Sequence, residues 1–140
     1  MKYNILSDGE VVGEIKTKIF SRTYPCNFKG KEYSFVNRGF FKLRTQVTDM
    51  SSGNIVGTIT FGNWKSKAQI SANNKLFDFK FDNFLHTRWS ISEEGGTIIQ
   101  YKGSWRKGVI ESELENYILI LSGIFIADHY WQQRRVTISH

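Results

Sequence analysis

One cysteine and one proline occur in the 140 residues. Cys26 has no second thiol with which to form an internal disulfide, and a structural zinc site needs about four ligands. A reducing, cytoplasmic compartment is the simpler expectation. A single proline and no low-complexity tract exclude collagen-like, mucin-like and Pro-rich linker proteins. Long apolar runs are missing too. The longest, Tyr117 to Leu121 and Ile124 to Ala127 around Ser122-Gly123, falls well short of the roughly 20 residues that span a bilayer. The amino terminus reaches the polar turn Ser7-Asp8-Gly9 before any apolar stretch of signal-peptide length, so a mature chain is expected.

Groups for catalysis are also scarce. The histidines are His86, His129 and His140, and a nucleophile or general base needs a helper held beside it. Asp128-His129 resembles half of a Ser/His/Asp site, but helical neighbours diverge by about 100° and no Gly-x-Ser-x-Gly motif accompanies them. A polar helix end reaching solvent is the simpler reading of that pair. Asp78 and Asp82 share a strand face about 13 Å apart, too far for a glycosidase pair, and Glu93-Glu94 reads as solvated charge in a glycine turn. No Cys/His cluster, Gly-x-Gly-x-x-Gly or phosphate loop is present. The expectation is a protein that is not an enzyme and uses no cofactor or metal.

What the chain has in quantity is apolar and aromatic surface. Hydrophobic residues make up 40% and aromatics 15%, including 11 Phe, 6 Tyr and 4 Trp, enough to fold as one domain over residues 1–140. Lys and Arg exceed Asp and Glu to give a net charge of +6. The excess lies in residues 1–70, with 11 basic against 5 acidic residues, while residues 71–140 are balanced at 8 and 8. Such an excess suits a weak anionic partner, or simply keeps a small domain soluble.

Short alternating segments separated by turn residues about every ten positions predict a mainly β, antiparallel fold. Phe77, Phe79 and Phe81 alternate with Asp78, Lys80 and Asp82. Phe41, Leu43, Thr45 and Val47 oppose Lys42, Arg44, Gln46 and Thr48, and Leu85, Thr87, Trp89 and Ile91 oppose His86, Arg88, Ser90 and Ser92. Gly and Asn punctuate the runs where hairpins need positive φ. The expected strands are 2–6, 11–19, 23–29, 31–36, 40–49, 54–61, 65–72, 75–82, 85–92, 97–104, 107–111 and 133–139, about twelve in all.

One segment departs from this pattern. Ser112-Glu113-Leu114-Glu115 is a capping-box sequence, and basic Arg134-Arg135 follows a long apolar stretch. A helix is expected over Glu113 to Gln132, about 30 Å long. Tyr117 to Leu121 point around its whole circumference, so it must be buried on all sides. Twelve strands spaced about 4.8 Å apart and tilted about 40° close into a barrel of roughly 12 Å radius, wide enough to hold such a helix. The alternative is a hairpin turning at Ser122-Gly123, which would leave an open barrel able to carry a small lipophile.

This order of elements, the strand Arg88-Trp89-Ser90-Ile91-Ser92 with Glu93-Glu94-Gly95-Gly96-Thr97-Ile98-Ile99 after it, and the apolar helix Tyr117 to Ala127 resemble the tubby carboxyl-terminal-like superfamily. That superfamily includes tubby domains, LURP-one-related proteins and phospholipid scramblases. The resemblance implies a twelve-stranded closed barrel around a central hydrophobic helix. The expected function is a non-enzymatic binding or scaffolding module whose ligand is unassigned. Tubby domains bind phosphoinositide head groups, but no tubby lipid-site residue maps onto this chain.

Two similar segments remain, Gly62-Asn63-Trp64-Lys65-Ser66-Lys67 and Gly103-Ser104-Trp105-Arg106-Lys107-Gly108. Tryptophan beside Lys and Arg suits an interface carrying acidic head groups, which makes Trp64, Lys65, Lys67, Trp105, Arg106 and Lys107 candidates for contact with anionic phospholipid at a membrane surface. Stacking on single-stranded nucleic acid is the weaker alternative. The structural alternative is that both indoles plug the barrel ends while the cations stay in water.

Overall fold

Period-two burial builds the strands. The computed structural model describes residues 2–17, 22–39, 43–62, 67–112 and 115–138, with side chains up to residue 133. Along Lys67–Ala72 every second residue, Ala68, Ile70 and Ala72, is buried. Along Lys75–Phe81, Phe77 and Phe79 are buried while Asp78 and Lys80 face water. The elements are β1 (Lys2–Ser7), β2 (Glu10–Lys16), β3 (Thr23–Phe28), β4 (Lys31–Arg38), β5 (Arg44–Asp49), β6 (Ile55–Phe61), β7 (Lys67–Ala72), β8 (Lys75–Phe81), β9 (Arg88–Glu93), β10 (Gly96–Gly103), β11 (Gly108–Ser112) and α1 (Tyr117–Ile138).

The strands form one sheet in chain order, and neighbours pair antiparallel throughout. The chemistry of the turns makes this possible. Asp8-Gly9, Lys29-Gly30, Asn73-Asn74 and Glu94-Gly95 each place two successive residues at positive φ, the type I′ arrangement whose twist matches that of the flanking strands. Connections from odd to even strands therefore gather at one end of the sheet, the turn end. Connections from even to odd strands gather at the other, the loop end.

The inner side chains form continuous cross-strand rows, Thr45 to Ile59 to Ile70 to Phe77 in one and Phe79 to Ile91 to Ile99 in another. Register shifts at Ile5/Leu6, Val47/Thr48 and Thr97/Ile99 mark bulges, and bulges bend a sheet. The curled sheet meets α1 from many sides. Phe125 packs against Tyr24 of β3 at 5.1 Å and Phe35 of β4 at 4.9 Å. His129 lies against Phe61 of β6 at 4.3 Å, and Trp131 against Trp89 of β9 at 5.1 Å. Tyr3 of β1 donates to Asp128 at 2.6 Å.

Leu119 to Gly123 and Phe125 to Asp128 are buried in unbroken runs. Because successive residues point 100° apart, burial of every one means that the helix is enclosed around its circumference, as its lack of a polar stripe required. Segment 117–127 is thus helical, and the hairpin on which the lipophile-carrier alternative depended is not formed. Gly123 is the point of closest approach. A Cβ there would sit 2.2 Å from the Tyr101 hydroxyl, which donates to the carbonyls of Leu119 and Ile120 at 3.1 and 3.0 Å. The Gly123 carbonyl accepts from the Trp89 indole at 3.1 Å.

Three expectations are corrected. The helix starts at Tyr117, because Asn116 takes the capping role: its Oδ1 accepts from the Leu119 amide at 3.1 Å and its carbonyl from the Ile120 amide at 3.0 Å. Ser112 belongs to β11 instead. The expected strand 133–139 does not form, since α1 continues to Ile138. A helix already nucleated propagates through good formers such as Gln132, Gln133, Arg134 and Arg135. With no twelfth strand to bridge β1 and β11, those two edges share no ladder among the described residues, and the sheet is not closed into a barrel.

Candidate functional site

Position at an end of the sheet, more than position in the sequence, groups the charged residues. At the loop end stand Arg22, Arg38, Arg44, Arg88, Arg106 and Lys107. The acidic residues near them are Glu14, which meets Lys2 and Lys16 at 3.6 and 3.9 Å, and Asp82, 3.8 Å from Lys80. The turn end carries the opposite sign, with Asp8, Glu10, Glu32, Asp49, Glu93 and Glu94. Its cations are Lys29, Lys31 and Lys75, of which Lys29 pairs with Glu115 and Lys75 with Glu93. The molecule is electrically polarised along its strands.

Of the six sequence-derived candidates, Trp64 and Lys65 lie outside the described residues. Lys67 opens β7 at the loop end, directly opposite Lys80 of β8. Like charges facing each other across a ladder repel, so this pair favours an anion nearby. Both lysines line an outer groove of about 530 Å³. Its floor is a polar cross-strand row running from Thr60 through Gln69, Asp78 and Ser92 to Thr97.

Trp105, Arg106 and Lys107 form the β10–β11 connection at the same end. Trp105 is 43% exposed, so it does not plug the interior as the structural alternative required. Trp89 and Trp131 fill that role, at 5% and 9% exposure. The Arg106 guanidinium lies 5.2 Å above the Trp105 ring, a cation–π contact that holds the cation beside the indole.

Sequence reasoning missed the β8–β9 connection. Leu85 and Thr87 were expected to continue the inner face of β9, but that strand begins at Arg88. Residues 82–87 instead form a braced loop. Asn83 Oδ1 accepts from the amides of Thr87 and Arg88 at 3.0 and 3.1 Å, and Asn83 Nδ2 donates to Thr87 Oγ1 at 2.6 Å. The His86 ring stacks on Phe81 at 4.0 Å, and its carbonyl accepts from the Trp131 indole at 2.9 Å. At the tip, Phe84 and Leu85 are 89% and 69% exposed. The sequence signal was available: Asp82-Asn83 is turn chemistry that interrupts the alternation.

The loop adjoins the β10–β11 connection, because the Gly103 amide donates to the Thr87 carbonyl at 2.8 Å. Arg88 and Lys102 face each other where the two meet. Arg88, Lys102, Arg106 and Lys107 form no ion pair among the described residues.

The remaining reactive groups are inside. Burial pushes the Cys26 thiol up to about 12 and pulls the His129 imidazole down to about 4. Asp128 is buried, accepting from Tyr3 and from Gln132 Nε2. It therefore does not mark a solvated helix end, as the sequence had indicated. No group of three or more potential metal ligands occurs among the described residues, and no described helix is long and apolar enough to cross a membrane. No protein-family profile, characterised protein or solved structure matches the chain.

Proposed function

We propose that this chain is a non-enzymatic, tubby-like binding or scaffolding module, an open-edged relative of the LURP-one-related and scramblase-like barrels, whose own helix serves as its core and whose outer surface meets its partner. The enclosure of Leu119 to Asp128 carries this reading, because a core filled by the chain itself leaves recognition to the outside. Eleven described strands in chain order around a hydrophobic helix agree with the resemblance, and the edges of β1 and β11, which share no ladder among the described residues, are its departure.

The reading with the most specific support for a partner is peripheral attachment to anionic phospholipid, on a cytoplasmic membrane face, through Lys67, Trp105, Arg106 and Lys107. An exposed indole and cations that form no ion pair among the described residues, at the positive end, suit acidic head groups. Co-sedimentation with vesicles tests it. Pelleting is expected with phosphatidylcholine vesicles containing phosphatidylserine at low salt, fading as salt screens the charges. Absence of pelleting at low salt overturns the phospholipid reading, and recovery of a lipophile by organic extraction of the purified protein overturns the filled core.

A further inference from the structure

We propose that the loop end seats on an anionic phospholipid bilayer with Phe84 and Leu85 inserted below the head groups, so that the strands point toward the membrane and the acidic turn end faces away. This rests on the phospholipid reading above and adds to it the inserting residues and the orientation.

Four observations converge. Phe84 and Leu85 are the two most exposed large hydrophobic side chains among the described residues. The loop beneath them cannot easily collapse to hide them, because Asn83, the His86–Phe81 stack and the Trp131 indole fix its base. Arg88 follows the loop directly, and Lys102, Arg106 and Lys107 belong to the adjoining β10–β11 segment, which the Gly103–Thr87 hydrogen bond joins to it; none of the four forms an ion pair among the described residues. The charge polarity of the molecule turns this end, and not the other, toward a negative surface. An aromatic and an aliphatic tip, with an exposed indole and cations on the adjoining connection, match the layered chemistry of a bilayer interface, where apolar groups enter the acyl boundary and cations remain at the phosphates. A protein partner would call for a contiguous, shaped apolar surface.

The test places an environment-sensitive dye on Leu85→Cys or, at the turn end, on Leu76→Cys. Cys26 is only 5% exposed and does not compete for label in the folded chain. With vesicles of phosphatidylcholine and phosphatidylserine, the dye at position 85 is expected to shift to the blue and to be quenched by a lipid-embedded quencher, and the dye at position 76 to do neither. The double variant Phe84→Ser/Leu85→Ser is expected to weaken vesicle binding by roughly a hundredfold, the scale of removing two apolar anchors, with an unchanged thermal transition. Binding of the unlabelled chain together with a silent dye at position 85, undiminished binding by the double variant, or a shift at position 76 would overturn the insertion while leaving the phospholipid reading standing. No vesicle binding at low salt removes both.

Discussion

His129 shows how a residue's surroundings reverse its usual meaning. A histidine next to an aspartate invites a catalytic reading, yet its ring packs on Phe61 and burial depresses its pKa from 6.5 to about 4. The unfolded chain then binds a proton that the folded chain refuses. The stability associated with neutral His129 is complete above pH 6.5 and is lost as pH falls from 6.5 toward 4, by at most roughly 3 kcal/mol. Chemical denaturation at pH 7 and pH 4.5 should show a larger loss for the natural chain than for His129→Phe; equal losses would refute the depressed pKa. Gly123 carries the complementary lesson. In the sequence Ser122-Gly123 reads as either a turn or a small pair within a helix, because the ring it must clear, Tyr101, is 22 positions away. Only the packed structure shows the missing Cβ to be a condition of contact.

At the scale of elements, the strands were legible because half-buried strands write their exposure into a two-residue alternation. The expected strands 2–6, 23–29 and 75–82 correspond to β1, β3 and β8 within about two residues, which is the usual uncertainty of element ends. The two failures share a cause. Strand 133–139 and residues 85–87 of the expected β9 were assigned from local β-compatible residues, but a helix already under way captured the first and an Asn83-centred loop the second. The cap was misplaced for a related reason: Ser112 has the right chemistry, but β10 holds it in a ladder opposite Ile99. Asn116→Ala should therefore lower stability by about 1 kcal/mol, a fall of roughly 3–5 °C in Tm, whereas Ser112→Ala should stay within about 0.5 kcal/mol. Thermal unfolding of both variants decides between the caps, and the reverse ranking would reinstate Ser112.

At the scale of the whole molecule, the charge distribution was visible in the sequence only in the wrong coordinate. Counting along the chain placed the excess in residues 1–70, whereas the meander re-sorts charges by strand end and gathers Arg22, Arg38, Arg44, Arg88 and Arg106 from both halves. The same topology sets how stability is shared. Each strand is laddered to its neighbours, but the inner faces find their apolar partner in one element that comes after all of them. A chain ending at Asn116 should keep its turns and lose its packing. It is expected to bind the dye ANS and to melt without a cooperative calorimetric transition; a sharp transition in that fragment would show that the sheet sustains itself.

On the ribosome, the same arrangement imposes a delay. Eleven oily strand faces emerge before the rod they wrap has been made, and at a synthesis rate of about 5–20 residues per second the interval between β4 and Trp131 lasts on the order of ten seconds. Through that interval the nascent chain has hairpins but nothing to close upon. Until the helix arrives, those apolar faces have only water or one another to meet.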